Sequence, residues 1–521
     1  SGRKMPSSEE LFARLKELST PPPEGVAHLA SSPTNPTTNE LLLRFARAGG
    51  LHLARKVGLA APAAVEGAAP QASVTPVLQG GSRLLWHWLR PWLSLIIIVV
   101  GFVAHSALLL IVGGVILATC AGDWQLMRSL WHPGLVTPGL HYADTPDNRR
   151  IAERLRHLPI TQRLRELTPW LWNGDLQTIW PFVAYSARNV EYRRFWFESW
   201  DEDARDQSEL IALDVAVAPG GFDRTKPFAL VCHGLNGGSS EAYVRDFVTH
   251  VTRDLGWCVA VMVARGLGHT PIQSGRLFHG ARTCDLARAA KMLHAAADGA
   301  PLVGVGYSMG GVVLANYCGV EGARSPLSCA VSLSGCYDCV DNSRFAYSQR
   351  IWQPWLTQQL KTNFCLRVPH CEYLANSGVV DVARTLSDAV CTIIDFDEAT
   401  VVPYGGFGTV DNYYAQMSVG HGDKLARVAV PLLAVHAVDD PIVNSDSYAG
   451  SIRRATTAGS SELNPNCWFL ITRKGGHVGW PLGWKPTRER WAYMHAAVVD
   501  FTSAVLHRPD PPPAATVMSR N

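Results

Sequence analysis

The residues best suited to chemistry are a serine, a histidine and an aspartate, each placed just after an apolar run. Ser308 lies in the sequence GYSMGG at 306–311, between the apolar run Leu302–Tyr307 and a helical stretch. A serine hydroxyl is a poor nucleophile at neutral pH and needs a base to take its proton. Glycines on both sides permit the tight strand-to-helix turn that exposes such a hydroxyl. Ser308 is therefore predicted to be the nucleophile of an acyl-transfer reaction.

The base and its orienting carboxylate are predicted from two later strand ends. His477 stands in a glycine-rich turn after one apolar run, and Asp439 and Asp440 stand side by side after another. The chain order serine, aspartate, histidine fits a triad on a nucleophile elbow. Asp440 is preferred as the acid because it directly precedes the turn that begins at Pro441, and Asp439 is the alternative. His436 lies inside its strand and is predicted to be a packed side chain.

Two backbone amides are predicted to stabilise the oxyanion that forms in such a reaction. The run Phe228–Cys232 ends in the glycine-rich sequence HGLNGG, which suits a turn that supplies one donor. We assign that donor to the amide of Leu235 and the second to the amide of Met309, at the start of the helix after the nucleophile. An ordinary glycine turn is the alternative for the first. His233 and Asn236 are expected to shape the pocket without transferring protons.

An α/β fold with a mainly parallel sheet and helices on both faces is needed to bring these strand ends together. Continuous apolar strands separated by helices indicate such a sheet, whose active sites lie beyond the carboxyl ends of the strands. The predicted strands are Leu210–Ala218, Phe228–His233, Trp257–Ala264, Leu302–Tyr307, Cys329–Leu333, Leu432–Ala437 and Cys467–Thr472. The clearest predicted helices are Tyr243–Leu255, Cys284–Ala297 and Arg488–Leu506.

A cap is predicted at about 340–425, because roughly a hundred residues separate two successive strands there. The insertion contains apolar side chains that either line an acyl channel or only hold the cap to the core, namely Phe345, Tyr347, Trp352, Trp355 and Leu356.

A hydrophobic membrane segment is predicted before the catalytic domain. Trp92–Cys120 contains no Asp, Glu, Lys or Arg. Because about 20 apolar residues suffice to cross the hydrocarbon core, this segment is long enough for a tilted span or for a re-entrant hairpin. Trp86, Trp88 and Trp124 flank it, as interfacial aromatics do.

The domain organisation follows from these boundaries. Residues 1–80 are predicted to be a partly helical extension, and a helix over Asn39–Lys56 either lies on a membrane or partner or is a solvated helix on its own domain. The chain begins at Ser1 with no visible signal peptide, which leaves a removed presequence open. The remaining predicted units are a membrane segment at 81–125 with its core at 92–120, a connector at 126–168, a catalytic domain at 169–507 and a tail at 508–521.

Composition excludes some partners and cofactors. The 521-residue chain has a formal net charge of +3 and no basic run interleaved with aromatics, so nucleic acid is not expected as a partner. Its 12 cysteines are scattered, several within apolar runs, which suits buried free thiols. Cys336 and Cys339 form a CxxC motif, read as two ordinary thiols in preference to a redox pair or half of a zinc site. No metal or organic cofactor is predicted.

The chain resembles a branch of the α/β-hydrolases that contains membrane-anchored abhydrolase lipid hydrolases, bacterial esterases and plant embryogenesis-associated hydrolases. The resemblance covers 169–507 and rests, beyond the serine, aspartate and histidine motifs, on three segments. These are WNGDLQTIWP at 172–181, ARGLGHTP at 264–271 with its continuation to Asp285, and the segment from Phe396 to Tyr414. Asp175 stands where histidine is common in the branch, and Ala264 stands where asparagine or histidine is common.

The resemblance implies hydrolysis of carboxylic esters in acyl lipids, either phospholipids or acylglycerols, by an enzyme held at a bilayer. An endomembrane or organellar location is expected, with mitochondria one candidate. Two other functions stay open. One is a structural or accessory subunit of a membrane complex that retains a hydrolase fold, which would add other membrane subunits as partners. The second is an acyltransferase with the same triad.

Overall fold

A nine-stranded sheet forms the centre of the computed structural model, which describes residues 8–20, 136–201, 208–274, 276–365, 374 and 376–506. The strands are β1 (Gly139–Tyr142), β2 (Arg193–Ser199), β3 (Glu209–Ala216), β4 (Phe228–Cys232), β5 (Cys258–Val263), β6 (Leu302–Tyr307), β7 (Cys329–Leu333), β8 (Leu432–Ala437) and β9 (Cys467–Thr472).

The strands run in the spatial order β1-β9-β8-β7-β6-β4-β5-β3-β2. The six strands from β9 to β5 are parallel to their neighbours. Antiparallel strands close both edges, with β1 on β9 at one edge and β3 and β2 beyond β5 at the other. Strands β3 to β9 are buried along their whole length, as expected for a sheet that is covered on both faces. The predicted α/β fold with a mainly parallel sheet is thus confirmed.

Helices cover both faces of the sheet and build the cap. Before β7 the helices are Ser8–Glu17, Pro146–Arg156, Pro159–Gln162, Gly174–Ala184, Ala242–Asp254, Cys284–Ala296 and Met309–Glu321, with 3-10 turns at Arg163–Glu166 and Gly322–Arg324. Between β7 and β8 they are Cys339–Ser343, Ala346–Ile351, Gln353–Leu360, Val382–Leu386, Ile393–Ala399, Val401–Gly405, Val410–Met417 and Lys424–Arg427, with a π turn at Lys361–Cys365. Asp446–Thr456, Pro486–Glu489 and Ala492–Leu506 follow.

Two large apolar clusters lie on opposite faces of the sheet, and the cap has a smaller cluster of its own. Alternate side chains of one strand divide between the clusters: Val303 and Val305 belong to one and Leu302 to the other. Leu11 and Leu15 of the first helix are fully buried in the same cluster as Leu302. The first helix therefore packs on the catalytic domain.

The edges of the sheet differ from the sequence prediction. Strands β1 and β2 were not predicted, and 139–166, which we assigned to a connector, adds a strand and two helices to the domain. The last predicted helix, Arg488–Leu506, is divided in two because Arg490 has a positive φ of 53°. Its guanidinium bonds Asp246 and the Ser186 carbonyl, which holds this break in place.

Several predicted segments lie outside the described residues. They are the helix over Asn39–Lys56, the apolar run Trp92–Cys120 and the tail at 508–521. None of the helices in the described ranges combines the length and apolar character that a membrane crossing requires. The ten cysteines in those ranges are free thiols, and nine of them are not exposed.

Candidate active site

Ser308 occupies a strained turn between β6 and the helix Met309–Glu321. Its backbone has φ 51° and ψ −118°, and its amide donates to the Leu333 carbonyl of β7 at 2.8 Å. A Cβ at Gly306 would collide with the Gly310 carbonyl, and one at Gly310 would collide with the end of β4. Only glycine fits these two positions, so the sequence around Ser308 holds its hydroxyl outward at the carboxyl edge of the sheet.

The structure brings Ser308, His477 and Asp440 together from three separate loops. His477 Nε2 lies 2.8 Å from Ser308 Oγ, and His477 Nδ1 lies 2.8 Å from Asp440 Oδ2. Asp440 and His477 are buried, whereas Ser308 is half-buried. In this arrangement the imidazole can accept a proton from the serine while the carboxylate orients its other nitrogen.

The two adjacent aspartates have different partners. Asp440 Oδ1 accepts the amides of Ile442 and Val443 at 2.8 and 2.9 Å, which leaves Oδ2 for the histidine. Asp439 instead accepts the Gly476 amide at 2.9 Å. Burial raises the pKa of Asp439 to about 7, with a smaller contribution from the charge of Asp440. The geometry therefore supports Asp440 as the orienting carboxylate and makes Asp439 a brace for the histidine loop.

The two backbone amides that were predicted as oxyanion donors have no hydrogen-bond acceptor among the described residues. Neither the Leu235 amide nor the Met309 amide donates to an acceptor in the described part of the chain, and both residues are half-buried. Gly234, next to Leu235, lies against Ser308: a Cβ at Gly234 would be 3.5 Å from Ser308 Cβ. Free backbone donors beside a nucleophile are what an oxyanion requires.

His233 fixes the shape of the turn that contains Leu235. Its Nε2 accepts the Ala264 amide at 3.1 Å, so its Nδ1 carries the proton and donates to the Gly234 carbonyl at 2.7 Å. Burial lowers the pKa of His233, which favours this neutral form. His233 thus ties the end of β4 to the end of β5, which is a structural role.

The histidine loop is braced by the helix Gly174–Ala184, which we name the entry helix. Thr178 Oγ1 accepts the His477 amide at 2.8 Å. At Gly174 the helix comes so close to the Asp439 carbonyl that a Cβ would collide with it. Gln177 Nε2 donates to Asp439 Oδ2 at 3.3 Å. Three polar or small positions of the helix therefore hold the loops of the acid and the base.

Asp175 connects the entry helix to the cap, a role that sequence reasoning missed. Its carboxylate accepts the Tyr347 hydroxyl and the Trp352 Nε1–H, each at 2.7 Å, and all three side chains are buried. Burial raises the pKa of Asp175, and the charge of Asp440 adds to this effect. A carboxylate can accept from both donors at once, which the histidine that is common here in the branch cannot do. The aspartate in place of the common histidine was therefore the sequence signal that could have indicated this contact.

The segment ARGLGHTP at 264–271 lies beside the site and is held by buried ion pairs. Arg265 is almost fully buried and binds both oxygens of Asp285, at 2.6 and 2.8 Å. Its Nη1 also donates to the Arg276 carbonyl at 2.8 Å. Burial alone would raise the pKa of Asp285, but the charge and hydrogen bonds of Arg265, together with Arg282 and Ser199, lower it to about 2. This bidentate pair positions the loop, and Asp285 also accepts the Ser199 hydroxyl.

The other singled-out residues are placed as follows. His436 is buried and stacked on Tyr448 at 4.2 Å between ring centroids, and burial lowers its pKa to about 4. Cys336 and Cys339 are buried thiols. Within the described ranges no group of three or more His, Cys, Asp or Glu side chains is arranged to hold a metal ion.

Comparison with known proteins agrees with the fold. Residues 230–366 match the family model described as alpha/beta hydrolase fold. The chain is 29% identical over 357 residues to the human protein named phospholipase ABHD3, covering 67% of this chain and 81% of that one. It is 30% identical over 260 residues to the monoacylglycerol lipase of Saccharomyces cerevisiae, covering 50% of this chain and 56% of that one.

A bacterial relative extends this similarity over nearly its whole length. The putative esterase YheT of Escherichia coli is 29% identical over 337 residues, covering 64% of this chain and 91% of the bacterial protein. All three relatives are named as hydrolases of esters or lipids. The chain is therefore similar to the abhydrolase branch of the α/β-hydrolases, and its relatives support its assignment as a serine ester hydrolase.

Proposed function

We propose that the chain hydrolyses carboxylic esters of acyl lipids at a membrane, with Ser308, His477 and Asp440 as its catalytic triad. The observation that carries this proposal is the pair of 2.8 Å contacts that His477 makes, one to Ser308 Oγ and one to Asp440 Oδ2. Asp439, the alternative acid, is occupied elsewhere.

Acylation begins with attack of Ser308 Oγ on the ester carbonyl carbon. His477 Nε2 takes the serine proton, and Asp440 stabilises the resulting imidazolium. The amides of Leu235 and Met309 donate to the oxyanion of the tetrahedral intermediate. When the carbonyl re-forms, the C–O bond to the alcohol breaks and His477 returns the proton to the leaving oxygen. The alcohol departs, and the acyl group remains as an ester of Ser308.

Deacylation repeats these steps with water as the nucleophile. His477 removes a proton from the water while its oxygen attacks the acyl carbon, and the same two amides stabilise the second oxyanion. Collapse of this intermediate releases the carboxylic acid and returns the proton from His477 to Ser308. The balance is one ester and one water converted to one acid and one alcohol, without a cofactor.

The apolar side chains of the cap support the proposal that the substrate is an acyl lipid. Its apolar cluster includes Leu360, Phe364 and Phe396, and the half-buried Leu235 packs against this cluster. Because Leu235 is also the proposed oxyanion residue, an acyl chain leaving the site toward the cap meets apolar side chains. A phospholipase and a monoacylglycerol lipase are among the relatives, which fits this substrate class.

A membrane location is proposed from the sequence. The uncharged run Trp92–Cys120 is long enough to enter or cross the hydrocarbon core, and it precedes the catalytic domain. Such a tether would hold the active site where lipid esters are concentrated.

Release of fatty acid from vesicles tests the proposed function. The full chain, reconstituted in vesicles that contain phospholipid and monoacylglycerol, is expected to release fatty acid from at least one of them. Ser308→Ala is expected to abolish release, whereas Ser377→Ala, at an exposed serine of the cap, is expected to leave it unchanged. Equal release by wild type and Ser308→Ala would reject the triad, and no release from any acyl ester by the folded wild type would reject the lipid-hydrolase function.

A further inference from the structure

The entry helix differs from an ordinary surface helix because it buries several polar side chains and exposes aliphatic ones. Asp175, Gln177 and Thr178 are buried against the catalytic loops and the cap. On the outer face, Ile179 and Val183 are exposed, Val183 by 55%. A surface helix normally turns its apolar stripe toward the core. The inward polar face is explained by the bonds to the histidine loop, but the outward apolar face has no such explanation.

Tryptophans extend this apolar surface on both sides of the helix. Trp172, just before the helix, is 54% exposed, and Trp484, beyond the histidine loop, is 76% exposed. Trp170 connects the Trp484 loop to the entry helix: its Nε1 donates to the Trp484 carbonyl at 3.1 Å, and its ring packs edge-on against Trp180. Half of the eight large apolar side chains that are exposed in the described ranges thus belong to this one surface.

Positive charges border the surface, and negative charges are missing from its loops. Between Thr472 and Pro486 the loop carries Arg473, Lys474 and Lys485 and no Asp or Glu. From 168 to 187 the only charged side chain is that of Asp175, which is buried. None of the three basic residues forms an ion pair within the described part of the chain. The surface therefore combines exposed tryptophan, aliphatic side chains and a basic border.

We propose that this surface, the docking face formed by Trp172, Ile179, Val183 and Trp484 with its basic border, rests on the headgroup region of an anionic bilayer. Tryptophan is enriched at membrane interfaces, and basic side chains are attracted to an anionic membrane surface. An apolar patch of this kind marks an interaction site. The inference adds a mode of membrane binding to the proposed lipid-hydrolase function, and it rests on that function for its biological purpose.

The position of the docking face in the chain favours a bilayer over another occupant. The apolar run ending at Cys120 is separated by 16 residue steps from Val136, where the described chain resumes. Even a fully extended linker of that length reaches at most about 55 Å, so a tethered domain must remain beside the membrane. The docking face would then set its orientation.

The docking face is also joined directly to the active site. Trp484 follows His477 by only seven residues, and the loop between them passes along the entry helix, whose Thr178 holds the His477 amide. Docking through this face would therefore place the catalytic loops at the level of the ester groups of the lipid. A substrate could enter without leaving the interface.

Photo-crosslinking of the full chain tests the docking face without relying on activity. The photoreactive residue p-benzoylphenylalanine is introduced at position 484 or 183, and at position 463 as a control. Leu463 is 43% exposed and lies outside the docking face. The chain is reconstituted in vesicles of phosphatidylcholine with phosphatidylserine, irradiated and analysed by mass spectrometry. Phospholipid adducts are expected at 484 and 183 and not at 463.

Three other crosslinking patterns would overturn the docking face. Crosslinks between two chains would identify a second copy as the occupant, and crosslinks to residues 21–135 of the same chain would identify an internal cover. Equal lipid adducts at all three positions would mean collision without docking. Adducts at 484 and 183 in a chain that hydrolyses no ester would keep the docking face and reject the proposed function.

A kinetic comparison connects docking to turnover. The double substitution Val183→Gln with Trp484→Gln is expected to lower kcat/KM for a vesicle-borne ester by roughly tenfold, because apolar area is lost from the interface. Hydrolysis of a water-soluble short-chain ester should be unchanged, since neither side chain touches the triad. The loss should grow when phosphatidylserine is present. An equal decrease for both substrates, or none for the vesicle ester, would contradict the proposal.

Discussion

The active-site loops and the cap are held by different kinds of contact. Ser308, Asp440 and His477 lie beyond the ends of buried parallel strands. Neighbouring glycines shape the turn of Ser308, and Asp440 accepts amides close in sequence, whereas the amide of His477 is held by Thr178 of the entry helix.

The cap consists of short helices that pack apolar side chains, such as Val401 and Met417, on the main core and that also depend on buried carboxylates. Asp175 bonds Tyr347 and Trp352 of the cap, which follow it by 172 and 177 positions in the sequence. Asp397 bonds Tyr414 inside the cap.

Because of this difference, we expect the sheet edge to determine the catalytic step and the cap to determine substrate selectivity. A triad at strand ends depends on the rigid sheet and should be intolerant of small changes. The cap is held by apolar packing on the core and by a few buried polar contacts, so the loss of one polar contact can change the arrangement of its short helices while the triad stays intact. We therefore expect substitutions at the sheet edge to abolish turnover, and substitutions at the cap contacts to alter substrate range and pH dependence.

The two adjacent aspartates test the sheet-edge half of the comparison with the largest effect. Asp440→Asn is expected to lower kcat by about 10³–10⁴-fold, because an amide cannot hold His477 in the correct tautomer. Asp439→Asn keeps an oxygen that can accept the Gly476 amide and should cost less than about tenfold. Steady-state hydrolysis of a short-chain ester measures both, and a larger loss for Asp439→Asn would reverse the assignment.

A glycine pair tests whether the elbow is as rigid as its contacts indicate. Gly310→Ala is expected to destabilise the fold by more than about 3 kcal/mol, because the new Cβ meets the backbone carbonyls of Cys232 and His233. Gly450→Ala places a Cβ in open space within the helix Asp446–Thr456 and should be neutral or stabilising by up to about 1 kcal/mol. The free energies of unfolding of the two variants, measured by denaturant unfolding, test this prediction. Equal stability would show that the elbow can relax.

Asp175 tests the cap half of the comparison. Asp175→Ala leaves the buried Tyr347 hydroxyl and Trp352 Nε1–H without their acceptor, at a cost of about 1–3 kcal/mol each. We expect kcat/KM for long-chain esters to fall by roughly tenfold, mainly through KM, because the cap no longer presents a fixed surface to the acyl chain.

A short-chain ester provides the control for Asp175→Ala, since it does not reach the cap. Its kcat should stay within about threefold of wild type. Tyr347→Phe removes one of the two donors and should give an intermediate effect on the long-chain KM. A uniform loss of kcat on both substrates would mean that Asp175 acts on the triad and not on the cap.

Asp397 gives the smallest predicted effect, on stability against pH. Burial raises the pKa of Asp397 to about 7, from an ordinary value near 4. The folded state therefore binds more protons than the unfolded state between these values, so the free energy of unfolding falls as pH rises through that window.

Asp397→Asn removes this proton uptake and keeps an acceptor for the Tyr414 hydroxyl, which now lies 2.9 Å from the carboxylate. The variant is expected to be more stable than wild type at about pH 8, by on the order of 1–3 kcal/mol, and similar at about pH 4. Urea midpoints at the two pH values provide the measurement. A variant that is less stable at the higher pH would contradict the account.

Whether the role of a residue could be predicted depends on how far away in sequence its contacts lie. The elbow around Ser308, the glycine turn around His477 and seven of the nine strands could be predicted, since they depend on local apolar runs and turn glycines. The choice between Asp439 and Asp440 was only a preference, because neighbouring carboxylates are distinguished by which amides they accept.

Other features depend on contacts that are distant in sequence. Strands β1 and β2 are edge strands with partial burial, so their apolar pattern is weak. The break at Arg490 is held by Asp246, which is 244 positions away. Asp175 has partners that lie in the cap. No local pattern encodes these pairings, and they were therefore missed.

The most direct test of the central claim is labelling of the full-length protein with a fluorophosphonate, followed by peptide mapping. The account predicts a single phosphonylated serine at Ser308, with labelling abolished in Ser308→Ala, slowed strongly in His477→Ala and nearly unchanged in Asp439→Asn. Labelling at another serine, or none in folded wild type, would contradict the assignment of Ser308, His477 and Asp440 as a catalytic triad.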